Sequence, residues 1–113
     1  MQDNTAYSKY VVSPFSFGSL IVNTLSSAFI IPGNAKIGIS CTVNTLDDAF
    51  SVYVNGVEKI QLANTANSIR EIGFLYKPYS LQLKRKSGLT TGTVNVFQYD
   101  YWNIPHLIAS GTV

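Results

Sequence analysis

A chain of 113 residues with 46% hydrophobic content has the size of one domain and enough apolar material for a core without disulfide or metal staples. Charged residues make up 12%, about half the usual share of roughly 25%, and a net charge of +2 is too small to imply a polyanionic partner. Plentiful aromatic and β-branched residues exclude the composition of a disordered segment, and one cysteine, Cys41, excludes an intrachain disulfide or a cysteine-based zinc cluster.

The amino end, MQDNTAYSKY, has no basic region followed by an apolar one, so the expectation is a chain made in a cytoplasm. No apolar run approaches the roughly 20 residues that a membrane-spanning helix needs. Residues 1–18 carry Tyr7, Tyr10, Phe15 and Phe17 in a stretch of irregular phase. They read as an amino-terminal docking arm or, equally, as a segment packed on its own domain.

Residues 19–113 form the expected β-domain. The segments SFGSLIVNT and SSAFIIP read as strands, and Pro32-Gly33 punctuates the chain after them. KIGISCTV is the clearest strand, with Ile37, Ile39, Cys41 and Val43 on one face. AFSVYVNGVEKIQL is a hairpin centred on Asn55-Gly56, a dipeptide that supplies the positive φ angles of tight turns. A two-residue turn would set Val52 opposite Lys59. A three-residue bulged loop sets Phe50 opposite Ile60, the better apolar match, and is the expected register.

SIREIGFLY and YSLQLKRK follow, separated by Lys77-Pro78, and the second alternates Tyr79, Leu81, Leu83 and Arg85 against Ser80, Gln82, Lys84 and Lys86. SGLTTG then turns the chain into TVNVFQYDYWNIPH, which holds the only Trp and the only His. No window keeps a period near 3.6 residues, and turn residues recur roughly every eight to twelve positions. The pattern predicts an all-β, single-domain antiparallel β-sandwich, jelly-roll-like, with about eight to ten short strands.

Catalytic chemistry has little to work with. Asp100, His106 and many serines allow a formal triad, but there is no G-x-S-x-G elbow, and His106 reads as a partly exposed residue after Pro105. Asp47-Asp48 lacks the repeated acidic spacing of a calcium site and reads as a polar turn. No pair drawn from Asp47, Asp48, Glu58, Glu71 and Asp100 has the spacing of a glycosidase. Lys84-Arg85-Lys86 is the one basic cluster, and alternation splits it between two faces, which argues against a nucleic-acid surface. Cys41, in the apolar phase, reads as a small buried hydrophobe. The expectation is a protein that is not an enzyme, with no cofactor, no metal site and no nucleic-acid partner.

The aromatics remain. Val94 and Val96 share one phase, while Phe97, Tyr99 and Tyr101 fall on the other. A β-bulge near Val96-Phe97 would return Phe97 and Tyr99 to the core, and this ranks first. Regular alternation with a second subunit over Tyr101 and Trp102 ranks next. Third is a sugar platform of Tyr99, Tyr101 and Trp102, with Asn95, Gln98 or Asp100 bonding hydroxyls.

FSVYVNGVEKIQL followed by YSLQLKRKSGLTTGTVNVFQYDYW resembles, in texture, the accessory proteins of phage particles: capsid cement or decoration proteins and head-fibre or tail-fibre domains. Many of these are small, low-charge β-sandwiches that assemble as trimers. The same stretch is similar to jelly-roll carbohydrate-binding modules, where an Asn-Gly turn between strands also recurs. The first resemblance implies a virion structural protein, a homotrimer that binds a capsid or fibre protein. Its expected interface is Phe97, Tyr99, Tyr101 and Trp102, with Tyr7, Tyr10, Phe15 and Phe17 as the arm. The second implies a glycan-binding module.

Overall fold

A computed structural model of the chain describes residues 13–44, 47–64, 68–87 and 91–113. Nine strands follow one another: β1 (Phe15–Ser19), β2 (Phe29–Ile31), β3 (Ala35–Val43), β4 (Phe50–Val54), β5 (Val57–Leu62), β6 (Arg70–Leu75), β7 (Tyr79–Arg85), β8 (Gly92–Tyr99) and β9 (Pro105–Thr112). They form a five-stranded sheet, β1-β9-β8-β3-β6, and a four-stranded sheet, β2-β7-β4-β5. All pairings are antiparallel except β1 with β9. Pairs nest outward from the β4–β5 turn, β4 with β5, β3 with β6 and β2 with β7, which is the winding of a jelly roll. Here β9 is inserted between the outermost partners, β1 and β8.

Alternation explains which face each sheet buries. β3 turns Ile37, Ile39 and Cys41 inward, β7 turns Tyr79, Leu81 and Leu83, and β8 turns Val94 and Val96. With Phe50, Val52, Leu62 and Ile108 these make one continuous core between the sheets. At about 25 cal/mol per Å² of apolar area, each fully buried Ile, Leu or Phe contributes roughly 1.5–3 kcal/mol against the entropy of ordering the chain.

Two registers differ from the sequence expectation. The hairpin closes with the two-residue Asn55-Gly56 turn, Val54 opposite Val57, both turn residues having positive φ (52° and 79°). The bulge lies one pair further on: Tyr53 faces Glu58 but Val52 faces Ile60, so Lys59 is the extra residue. The cause is the mismatch that a regular two-residue hairpin would create. Skipping Lys59 sets Ile60 opposite Val52 and Leu62 opposite Phe50, apolar against apolar on the inner face. The loop itself needs no bulge.

The second correction concerns Val96-Phe97. The β8–β9 register does shift there, but Val96 faces Ala109 and Phe97 faces Leu107, so the extra residue is Ile108 on β9. Against β3, β8 stays regular from Gly92 to Gln98. Phe97 and Tyr99 therefore do not return to the core. They lie half-buried on the outer face, while Ile108 and Ala109 are both buried.

Phe15 and Phe17 also find a place within the domain. Their rings are 5.2 Å apart, and Phe29 of β2 lies 5.0 Å from Phe15 and 6.4 Å from Phe17. This cluster closes the side of the sandwich where β1 and β2 edge the two sheets. A boundary after residue 18 thus cuts through β1, and Phe17 is core, not arm. Tyr7 and Tyr10 lie outside the described residues.

Candidate functional site

The outward side chains of the two sheets differ in character. Over the four-stranded sheet they are mostly polar: Ser51, Glu58, Gln61, Ser80, Gln82 and Lys84, with Lys84 Nζ 5.2 Å from the centre of the Tyr53 ring. Over the five-stranded sheet they turn apolar towards the connection from β8 to β9. There Phe97 pairs with Leu107 and Tyr99 with Pro105, and the chain then projects Tyr101, Trp102 and Ile104 beyond the sheet. Tyr101 is 93% exposed and Trp102 66%.

One carboxylate organises this turn. Asp100 Oδ1 accepts the backbone N–H groups of Trp102 (2.8 Å) and Ile104 (2.9 Å), and Oδ2 lies 2.8 Å from Nε2 of His106. The Asp100 carbonyl accepts from the Asn103 N–H, and the Ile104 carbonyl accepts from the Asp100 N–H, each at 2.9 Å. Asn103 takes the left-handed conformation, φ 64°, that asparagine tolerates better than most residues. The turn is a short-loop device in which an aspartate at its first position replaces lost ladder bonds with side-chain-to-backbone bonds. These contacts hold the Asp100 carboxyl below the usual carboxylate range. The His106 bond is the largest cause, partial burial opposes it, and the Ile104 and Trp102 amides add to it.

A second set of contacts braces the turn against the sheet. Lys36 Nζ donates to Asn103 Oδ1 (2.8 Å), pairs with Glu71 (3.0 Å) and sits 4.7 Å from the centre of the Tyr99 ring. Tyr99 can lie flat on the sheet because Gly38 has no side chain. A Cβ there would stand 3.0 Å from Tyr99 Cε2 and 2.4 Å from Ile69 Cγ2. The aromatic pair is thereby mounted on a rigid base.

The expected site residues divide accordingly. Phe97, Tyr99, Tyr101 and Trp102 do gather at one end of the five-stranded sheet, but in two layers: the first two half-buried, the last two projecting. Tyr101 and Trp102 meet edge to face, ring centres 5.7 Å apart and planes at 81°, so the three rings do not form a flat sugar platform. Of the polar groups assigned to sugar hydroxyls, Asn95 stays half-buried on the outer face, but Gln98 and Asp100 are unsuited. Gln98 is buried on the inner side opposite His106, and Asp100 is engaged by the turn.

Asp100 and His106 do come together, as a formal triad would ask. With Oδ1 tied to two backbone amides, however, the carboxylate serves as a turn hub. Sequence reasoning missed this role. The Asp-x-x-Asn spacing of a turn was its one signal.

Elsewhere the chemistry is sparse. Arg85 and Lys84 point to opposite faces as alternation requires. Arg85 donates to the Leu20 carbonyl at 3.1 Å and Lys86 to Gln61 Oε1 at 2.8 Å. Cys41 is buried, its Sγ 3.0 Å from the Ala63 carbonyl. Among the described residues no group of His, Cys, Asp and Glu is placed to hold a metal ion. A groove of ≈ 200 Å³ lined by Phe17, Leu20, Ile21 and Leu25 lies at the opposite end, where the Leu20 N–H donates to the carbonyl of Thr112. Comparison with known proteins finds no matching family model, no matching curated relative and no matching solved structure.

Proposed function

We propose that this chain is a non-catalytic assembly protein, an accessory component of a virus particle such as a capsid decoration or fibre subunit. It docks on a protein surface through the turn between β8 and β9. The observation that carries the reading is the rigid display of Tyr101 and Trp102, 93% and 66% exposed, above the apolar step of Ile104 and Leu107. Contiguous exposed apolar surface marks interaction sites, and Trp and Tyr are the residues that dominate interface energetics. A turn fixed before contact loses little side-chain and loop freedom on docking, so more of the contact energy appears as affinity. The jelly-roll sandwich and low charge fit the resemblance to phage accessory proteins, and self-association as a trimer belongs to the same proposal.

Light scattering on the purified chain, wild type against Trp102→Ala, tests it. A trimer, or a complex with capsid or fibre protein, that is lost in the variant supports the reading. A wild-type monomer that binds no particle, but binds glycans saturably and loses them with Trp102, overturns it in favour of a carbohydrate-binding module.

A further inference from the structure

We propose that the Asp100–His106 pair is a proton-controlled latch on the aromatic turn: proton uptake by His106 stiffens Tyr101 and Trp102, and proton loss slackens them. Its consequence for docking rests on the proposed function, whereas the latch itself is a property of the free chain and is tested there.

The geometry that points to it is the sharing of one carboxylate. Asp100 Oδ2 holds His106 at 2.8 Å while Oδ1 holds the amides of Trp102 and Ile104 at 2.8 and 2.9 Å. Only 9% of the Asp100 side chain is exposed, so water competes weakly for these bonds. With the imidazolium form the contact is a charge-assisted hydrogen bond, roughly twice as strong as a neutral one. With neutral imidazole it depends on which ring nitrogen carries the proton. The strength of this contact therefore depends on whether the ring carries one proton or two. His106 is anchored in β9, opposite Gln98, whereas Asp100 lies in the loop, so a weaker bond frees the loop and not the strand.

Among the described residues, the charged and titratable groups that brace the turn from neighbouring elements include Lys36 on β3, which holds Asn103, Glu71 on β6, which holds Lys36, and Tyr99 on β8 beneath Lys36. Lys36 and Glu71 are tied to the turn through Asn103 and the Tyr99 ring, not through the Asp100–His106 bond. The Asp100 carboxyl, held low by His106 and the two amides, stays ionised throughout.

The chain has one tryptophan and one histidine, and both sit in the device. The experiment follows Trp102 fluorescence anisotropy and acrylamide quenching in the full chain against pH, beside the His106 ring proton by NMR. The expected result is one shared midpoint, with anisotropy rising and quenching falling as the ring gains its proton. In His106→Gln the Trp102 transition is lost while thermal unfolding stays cooperative. In Asp100→Asn the ring still titrates but Trp102 no longer follows. A wild-type His106 ring that titrates without any change at Trp102 overturns the proposal, whether or not the variants fold. So does a Trp102 transition that persists in His106→Gln.

Discussion

Tyr79 opens β7, is 3% exposed, and points its ring between the sheets from its pairing with Ile31. Its hydroxyl is buried with no hydrogen-bond partner among the described residues. A buried unsatisfied hydroxyl costs about 1–3 kcal/mol, so Tyr79→Phe should remove that cost. The space left by one oxygen forfeits a few dispersion contacts of about 0.1–0.2 kcal/mol each. The net expectation is a gain of about 0.5–2 kcal/mol, which for a domain of this size raises Tm by roughly 2–8 °C.

The pH dependence makes the test sharper. Burial pushes the phenol from 10.0 up to about 12, so the unfolded chain loses this proton first as pH rises. Stability from the protonated phenol is complete below pH 10.0 and falls as pH climbs towards about 12. Two units correspond to about 2–3 kcal/mol lost at the top of that window. Urea unfolding of both proteins from neutral pH into this range gives the answer. The phenylalanine variant should be more stable at neutral pH, and its lead should widen above pH 10.0. A variant less stable by more than about 0.5 kcal/mol at neutral pH would refute the reasoning, because the hydroxyl must then have been making a bond.

Tyr101→Ala and Trp102→Ala should each leave unfolding free energy within about 0.5 kcal/mol of wild type, as expected for exposed positions. Both should abolish docking or self-association in light scattering, and a large loss of stability would show that the rings pack on their own fold. Asp100 has a lowered pKa in the folded chain, so it contributes stability above the ordinary aspartate range that is lost as pH falls through it. Acid titration followed by circular dichroism should show this loss in wild type, and Asp100→Asn should flatten that part of the profile. Gly56→Ala places a side chain at φ 79° and should cost roughly 1–2 kcal/mol in urea unfolding. Gly38→Ala must displace Ile69 or Tyr99 and should cost about 1–3 kcal/mol, with a change in Tyr99 ring shifts in NMR.

The strands that carry the core were legible because each has one wet face. In β3 and β7 the alternation of apolar and polar residues leaves a single choice of phase, whereas in β8 it does so only as far as Val96, before the aromatics take the other phase. β9 was not, since its inward residues include the small Ala109 and Gly111, and its bulge places Ile108 and Ala109 side by side. A bulge belongs to a pair of strands, so the shift at Val96-Phe97 could be suspected from β8 alone but not assigned to a strand. The same limit hid the hub. Asp100 and His106 are six positions apart, and nothing says they touch until the hairpin register is known. Phe17 stayed open between arm and core for another reason: its short strand is an edge strand, and too few residues surround it to reveal a period.

The sheet edges help decide how such a chain can associate. Strand addition needs a regular row of unpaired backbone groups, and each edge here interrupts that row. β5 carries the exposed Lys59 bulge between Glu58 and the half-buried Ile60, and Arg70 reaches across to the Gln61 carbonyl at 3.1 Å. β6 is out of register at Ile72, and β1 shifts between Ser16 and Ser19. β2 has three residues, and the chain before it bonds the rest of β7 through Asn23 and Ser26. Edge-to-edge growth is disfavoured on every side, which leaves side-chain contact as the route to assembly. Tyr101 and Trp102 are large exposed side chains carried on a turn whose backbone is held by the Asp100 carboxylate. A partner that meets them end-on would leave both sheets intact, so association through this turn should leave the far-ultraviolet circular dichroism of the sandwich unchanged.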